Sequence, residues 1–115
     1  MDDPKSIEQA IEYAKYNLDT VCTVAEWAEF MGYMNYRRFS WAFRNHYGCR
    51  PGKSLIELKL NYVSDRLKSD GDLKLYVIAR EIGLPDEQAL YKFIKYHTGR
   101  SPSYLRKAYQ DNSGE

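Results

Sequence analysis

The chain has 115 residues, 43% hydrophobic and 29% charged, which suffices for one domain or for two very small ones sharing a core. No apolar run approaches the length of a membrane span, and the acidic beginning MDDPKSIEQ is unlike a secretory signal, so a soluble, cytoplasmic protein is expected. Cys22 and Cys49 are too few for a disulfide framework and are not spaced as a metal-binding pair, which points to reduced thiols.

The spacing predicts a first amphipathic helix from Ser6 to Leu18, opened by Ser6 with Gln9 three on, and carrying Ile7, Ala10, Ile11, Ala14 and Leu18 on one side. Its acidic outer face suits a supporting element. Thr23-Val24-Ala25-Glu26 is a second capping box, and the short helix it begins runs through Trp27 and Met31 to Gly32. After the turn Gly32-Tyr33-Met34-Asn35, Asn35 caps a longer helix that Gly48 closes. Phe39, Ala42, Phe43 and Tyr47 fall on one face of it, and Arg37, Ser40, Trp41 and Arg44 on the other. A short helix, a glycine-containing turn and a longer helix with a basic outer face make the layout of a helix-turn-helix.

Pro51 suits the first turn of a fourth, long helix, with Ser54-Leu55-Ile56-Glu57 as a capping box and Ile56, Leu60, Val63 and Leu67 on one side. Ser69-Asp70-Gly71-Asp72 ends it. Its 18 or so residues rise roughly 27 Å, near the length of one DNA turn, about 34 Å. Asp72 is then the expected cap of a short helix from about Leu73 to Ile82, followed by Gly83, the turn Leu84-Pro85-Asp86 and a helix to Thr98. Leu90, Phe93, Ile94 and His97 face inward on that helix, and Glu87, Gln88, Tyr91, Lys92 and Lys95 face outward. Ser101-Pro102 starts a last short helix ending near Tyr109, and the polar tail from Asp111 to Glu115 is expected to be disordered. No segment alternates with a period of two, so the expected fold is all-α with about seven helices. The expected divisions are residues 1–50, 51–69, 70–110 and 111–115.

A single offset of 51 residues relates the two halves: Ala28 matches Ala79, Met31 Ile82, Gly32 Gly83, Phe39 Leu90, Phe43 Ile94, Gly48 Gly99 and Pro51 Pro102. The net charge of +1 is small for a nucleic-acid binder, yet it is unevenly spread. From Met1 to Met31 there are two basic and seven acidic residues, against six basic and one acidic from Gly32 to Tyr62. From Gln88 to Gln110 there are five basic residues and none acidic. Positive charge therefore collects in the second half of each repeat.

Two helix-turn-helix units joined by a long helix resemble the DNA-binding domain of AraC/XylS-type transcription regulators. The likeness is most specific in Ile78-Ala79-Arg80-Glu81-Ile82-Gly83-Leu84, then Phe93-Ile94-Lys95 and Gly99-Arg100-Ser101-Pro102. The chain departs from that pattern at Leu84 and Pro85, and its linking helix carries Lys59 and Arg66 where an arginine-rich run is usual. The resemblance implies that the two longer helices enter successive major grooves. By position, the base-facing residues would be Arg37, Ser40 and Trp41 in the first unit and Glu87, Gln88, Tyr91 and Lys92 in the second. Arg44, Lys95 and Arg106 would touch phosphates.

Each of these has a plainer reading. Arg37 and Lys92 are also what a solvated surface carries, and Trp41 either packs on thymine methyls or sugars or completes the core. His46 and His97 stand at equivalent positions in the repeats, which implies equivalent packing rather than a metal site. No phosphate loop, metal-ligand cluster or nucleophile–histidine–acid set marks an enzyme, and no cofactor is implied. The implied partner is double-stranded DNA, with RNA polymerase as a further candidate and a sensor or receiver domain elsewhere in a longer regulator. The rival function is a helical protein-interaction module, because the chain is only marginally basic, rich in tyrosine and acidic over its first helix.

Overall fold

The computed structural model describes residues 5–69, 72 and 74–113, and every regular element among them is helical. A 3-10 turn, Ile7–Gln9, leads into α1 (Ala10–Lys15), then α2 (Val24–Phe30), α3 (Tyr36–Tyr47), α4 (Pro51–Ser69), α5 (Leu75–Glu81), α6 (Glu87–Thr98) and α7 (Pro102–Ser113). The expected all-α fold of about seven helices is met, with α2–α3 and α5–α6 as the helix-turn-helix pairs. The chain divides into two compact units, Met1–Lys59 and Leu60–Glu115, and the division falls inside α4.

Short polar side chains and glycines set the helix ends. Thr23 Oγ1 accepts the Glu26 amide at 3.1 Å and donates to the Glu26 carboxylate at 3.1 Å, tying down the first turn of α2. Asn35 Oδ1 accepts the Arg38 amide at 2.9 Å to start α3, and Asp86 Oδ1 accepts the Ala89 amide at 2.8 Å to start α6. Both longer helices end on a glycine at φ 77°, Gly48 and Gly99, whose amides bond the Arg44 and Lys95 carbonyls at 2.9 Å. The starts of α2 and α5, α3 and α6, and α4 and α7 all differ by 51 residues, so the offset in the sequence is an offset in backbone structure.

In the first unit the core is aromatic. Trp27, Phe39 and Phe43 are fully buried, with ring centroids 5.1–5.8 Å apart and tilted or edge-on, the arrangement aromatic quadrupoles favour. The Trp27 indole donates to the Ala10 carbonyl at 3.1 Å, and the Tyr47 hydroxyl donates to the Ile7 carbonyl at 2.8 Å. These two bonds fasten the N-terminal segment to α2 and α3. In the second unit the equivalent positions are aliphatic: Ile78, Leu90 and Ile94 replace the three rings, joined by Ile82, Val63 and Leu67. Arg66 Nε donates to Glu81 at 3.1 Å and the Ser64 hydroxyl pairs with Tyr109 at 3.0 Å, holding the end of α4 to α5 and α7.

Five expectations need correction. The first helix stops at Lys15 instead of Leu18, because the chain turns at Asn17, whose side-chain amide donates back to the Tyr13 carbonyl at 2.8 Å. Ser54 is not a cap: α4 already begins at Pro51, the Ser54 amide bonds the Arg50 carbonyl at 3.2 Å, and the side chain is buried against Cys49 Sγ at 3.2 Å. On α4, Val63 and Leu67 are buried as expected, but Leu55 and Lys59 are buried while Ile56 and Leu60 are only half-buried. The short helix of the second unit starts at Leu75 after Lys74, not after Asp72, and the expected start at Leu73 lies outside the described residues, as do Asp70 and Gly71. The last helix runs to Ser113, so residues 111–113 are helical and not a disordered tail.

Lys59 is only 6% exposed. Burial pushes its pKa down, and the nearby Cys22 and Glu26 only partly oppose that shift. The charged form thus opposes folding at neutral pH, and this penalty fades as pH rises from the lowered pKa towards the ordinary lysine value. Lys59→Met keeps the stem's packing and removes the charge, so it is expected to melt higher than the parent at neutral pH, with the gain shrinking under alkaline conditions. Equal melting at every pH would show that the ammonium reaches water freely. A second expectation concerns Gly48 and Gly99, where an added Cβ meets nothing within 4 Å. Alanine at either site is opposed only by the left-handed backbone, at about 1–2 kcal/mol, measurable as a lower urea midpoint with an unchanged slope.

Candidate nucleic-acid interface

Once Phe39 and Phe43 are buried, the opposite face of α3 must point outward. Arg37, Trp41 and Arg44, spaced four and three residues apart, are all exposed on that face, and Ser40 is half-buried beside them. With Tyr36 and Asn45 they line one shallow cleft of about 550 Å³. Trp41 is 72% exposed, which settles its role in packing: the core indole is Trp27, and Trp41 is not part of the core.

The charged side chains lining this cleft, Arg37 and Arg44, are both cations, and no carboxylate lies between Glu29 and Glu57 in the sequence. Arg44 also lines a second hollow with Ser40, Arg50 and Lys53, where the end of α3 meets the start of α4. Arg38 borders a third with Arg37 and Trp41. Arg38, Arg50 and Lys53 are thus interface candidates that periodicity on α3 alone misses. The signal that finds them is the acid-free run of the sequence.

On α6, Glu87, Gln88, Tyr91, Lys92 and Lys95 are all exposed, and Leu90 and Ile94 are buried, as the spacing predicts. Tyr91 is 49% exposed. Lys95 Nζ reaches the Gly99 carbonyl at 3.4 Å, so it lies along the C-terminal end of α6, away from Gln88 in the first turn. Arg106 stands apart from that face, half-buried on α7. The two histidines are less alike than their positions imply: His46 is exposed with its ring edge-on to Tyr47 at 4.6 Å, whereas His97 is half-buried against Phe93 at 4.8 Å and Tyr96 at 4.9 Å.

The two helix-turn-helix units present different chemistry at equivalent positions. Counting the 51-residue offset, Arg37 corresponds to Gln88, Ser40 to Tyr91, Trp41 to Lys92 and Arg44 to Lys95. Two cations of the linking helix fall outside both faces: Lys59 is buried in the first unit, and Arg66 is paired with Glu81 in the second. Among the described residues no group of three or more His, Cys, Asp or Glu side chains could hold a metal ion, and no helix is long and apolar enough to cross a membrane.

No protein-family model matches the chain, and no curated protein matches it in sequence. Solved structures do. The DNA-binding domain of AdpA, a global transcriptional factor solved in complex with a target DNA, is 24% identical over 99% of both chains, with a TM-score of 0.78. The C-terminal domain of AraT, a response regulator from Geobacillus stearothermophilus, is 19% identical over 89% of this chain and 84% of that one, with a TM-score of 0.76. A transcriptional regulator with an AraC-type DNA-binding domain from Chromobacterium violaceum is 18% identical over 90% of each chain, with a TM-score of 0.70. With its all-helical course and its paired helix-turn-helix units, the chain has the fold of the AraC-type DNA-binding domains.

Proposed function

We propose that this chain is the sequence-specific DNA-binding domain of a transcription regulator, and that α3 and α6 enter successive major grooves of double-stranded DNA. The outer face of α3 carries the reading: Arg37, Ser40, Trp41 and Arg44 share one exposed face, and no acid interrupts the cations from Arg37 to Lys53. A surface of that kind is suited to a polyanion. The likeness in fold to a domain solved on its target DNA supports the same reading. The likeness to the C-terminal domain of a response regulator supports a place as the output module of a longer protein acting in the cytoplasm.

Residues divide by their distance from the groove floor. Arg37, Ser40 and Trp41 on α3, and Glu87, Gln88, Tyr91 and Lys92 on α6, lie where helices of this kind meet base edges. Arg44, Arg50, Lys53, Lys95 and Arg106 are assigned to phosphates, as they lie at or beyond the helix ends. An apolar protein interface would not share the salt dependence that this assignment requires.

Enrichment of duplexes from a random pool, followed by anisotropy titrations at several salt concentrations, tests the proposal. Two boxes about one helical turn apart and a steep fall of affinity with salt are expected. Arg44→Ala should reduce the logarithmic salt slope by about one unit, the signature of one lost phosphate contact. An enriched pool without a shared site, or a flat salt response, returns the chain to protein recognition.

Within α6 the reader and the holder should separate. Gln88→Ala should relax preference at one base pair by roughly 1–3 kcal/mol with little change on random DNA, because its amide suits a bidentate contact to adenine. Lys95→Ala should weaken selected and random duplexes alike. Both side chains are exposed, so both variants should melt with the parent. Equal losses on all duplexes for Gln88→Ala would remove α6 from sequence reading.

A further inference from the structure

The two copies of the repeat share a backbone but not a reading chemistry. On α6 the exposed face offers hydrogen-bonding groups at Glu87, Gln88, Lys92 and the hydroxyl of Tyr91, a residue 49% exposed. On α3 the position equivalent to Lys92, 51 residues earlier, is an indole that is 72% exposed. Leaving so large an apolar ring in water is unfavourable, and packing does not demand it, because Trp27 fills the core. The ring therefore calls for a partner outside the chain.

The surroundings of Trp41 select among partners. Arg37 stands four residues before it and Arg44 three after, on the same face, and the clefts on either side of the indole are lined by arginines without a carboxylate. An apolar ring bracketed by cations fits a surface that is anionic at its edges and apolar at its centre. The major groove at an A·T pair has that form: phosphates along both walls, and the thymine methyl on the floor. Indole chemistry sharpens the choice. Its single polar atom is a donor, Nε1–H, which thymine O4 or adenine N7 accepts, whereas cytosine offers its own N4 donor at that place and no methyl group.

We propose that Trp41 is the specificity-determining residue of α3, and that it reads thymine through the 5-methyl group in the major groove. The inference rests on the DNA-binding reading above and adds the base class and the group recognised. Under it the two units read by different physics: α6 by hydrogen bonds, α3 by contact of an indole with a methyl group under arginine clamps. The first box of the site should then depend on a thymine methyl group through Trp41.

The test uses the selected duplex and a set in which each thymine in turn is replaced by deoxyuridine, which removes the methyl group and leaves base pairing intact. For the parent protein, at least one replacement in the box bound by α3 should weaken binding about fourfold, the worth of one buried methyl group. The same replacement should leave Trp41→Ala and Trp41→Lys unaffected. Trp41→Lys copies the α6 residue and restores charge, so it should keep measurable affinity while losing methyl dependence, and both variants should melt with the parent because the ring is exposed. A first box without thymine, indifference of the parent to every deoxyuridine replacement, or an undiminished effect in Trp41→Lys overturns the proposal and leaves the DNA-binding reading standing. A random pool that yields no site overturns both.

Discussion

One helix belongs to two cores. The first half of α4 sends Leu55 and the stem of Lys59 into the unit that contains α1 to α3, and the second half sends Val63 and Leu67 into the unit that contains α5 to α7. Each unit has under 60 residues, so the half of α4 that falls in it is a large part of what it can bury. The repeat makes the sharing intelligible: the start of α4 is the counterpart of α7, closing the first copy, while its end precedes α5 as α1 precedes α2. A continuous helix lets one copy finish and the next begin without an intervening loop. The burial of an ammonium-bearing side chain occurs at Lys59, the last residue of the first unit. That site is where one apolar stripe hands over to another.

The copies have diverged in two independent places. Their cores differ in material, with rings in one and branched aliphatics in the other, at the same backbone positions and between the same caps. Such exchange is tolerated when total volume and patterning are kept. The aromatic core comes with a polar atom to satisfy, and the Trp27 bond to the Ala10 carbonyl does so. Consequently α1 is tied to the first unit by a bond for which an isoleucine at the equivalent position has no donor. The outer faces differ as well, and here no packing constraint acts: exposed positions are free to carry indole in one copy and ammonium in the other.

Net charge is a poor guide to what this protein touches. A value of +1 hides a strong segregation, acids on the N-terminal segment and cations from Arg37 to Lys53. Fields at a surface are set by charges within roughly a Debye length, about 8–10 Å, so a local run matters more than the sum. The run survives folding largely intact because its cations lie on one outward helix face, at its end and at the first turn of α4. Lys59 and Arg66 belong to the same formal count, yet burial and the Glu81 pairing withdraw them from that surface.

The sequence by itself determined the helices, their order and the repeat, because these rest on local chemistry: Asn35 and Gly48, or the 3.6-residue spacing of Phe39 and Phe43, act within one or two turns. It also placed Arg37, Trp41 and Arg44 on one face, since a helix has only two sides and one was apolar. It could not say whether Trp41 faced outward or completed the core, and only the packed cluster of Trp27, Phe39 and Phe43, which leaves Trp41 out, decides. It placed the start of α4 at Pro51, but it mistook Ser54 for a capping residue, because a buried serine inside the first turns looks the same in sequence as an exposed one at the end. It missed that Leu55 and Lys59 face inward, because periodicity assumes one core per helix and α4 serves two. Tertiary structure alone brought Arg50 and Lys53 beside Arg44, for that closeness depends on how the chain leaves Gly48 in the left-handed conformation, and an approach across a turn leaves no periodic mark in a sequence.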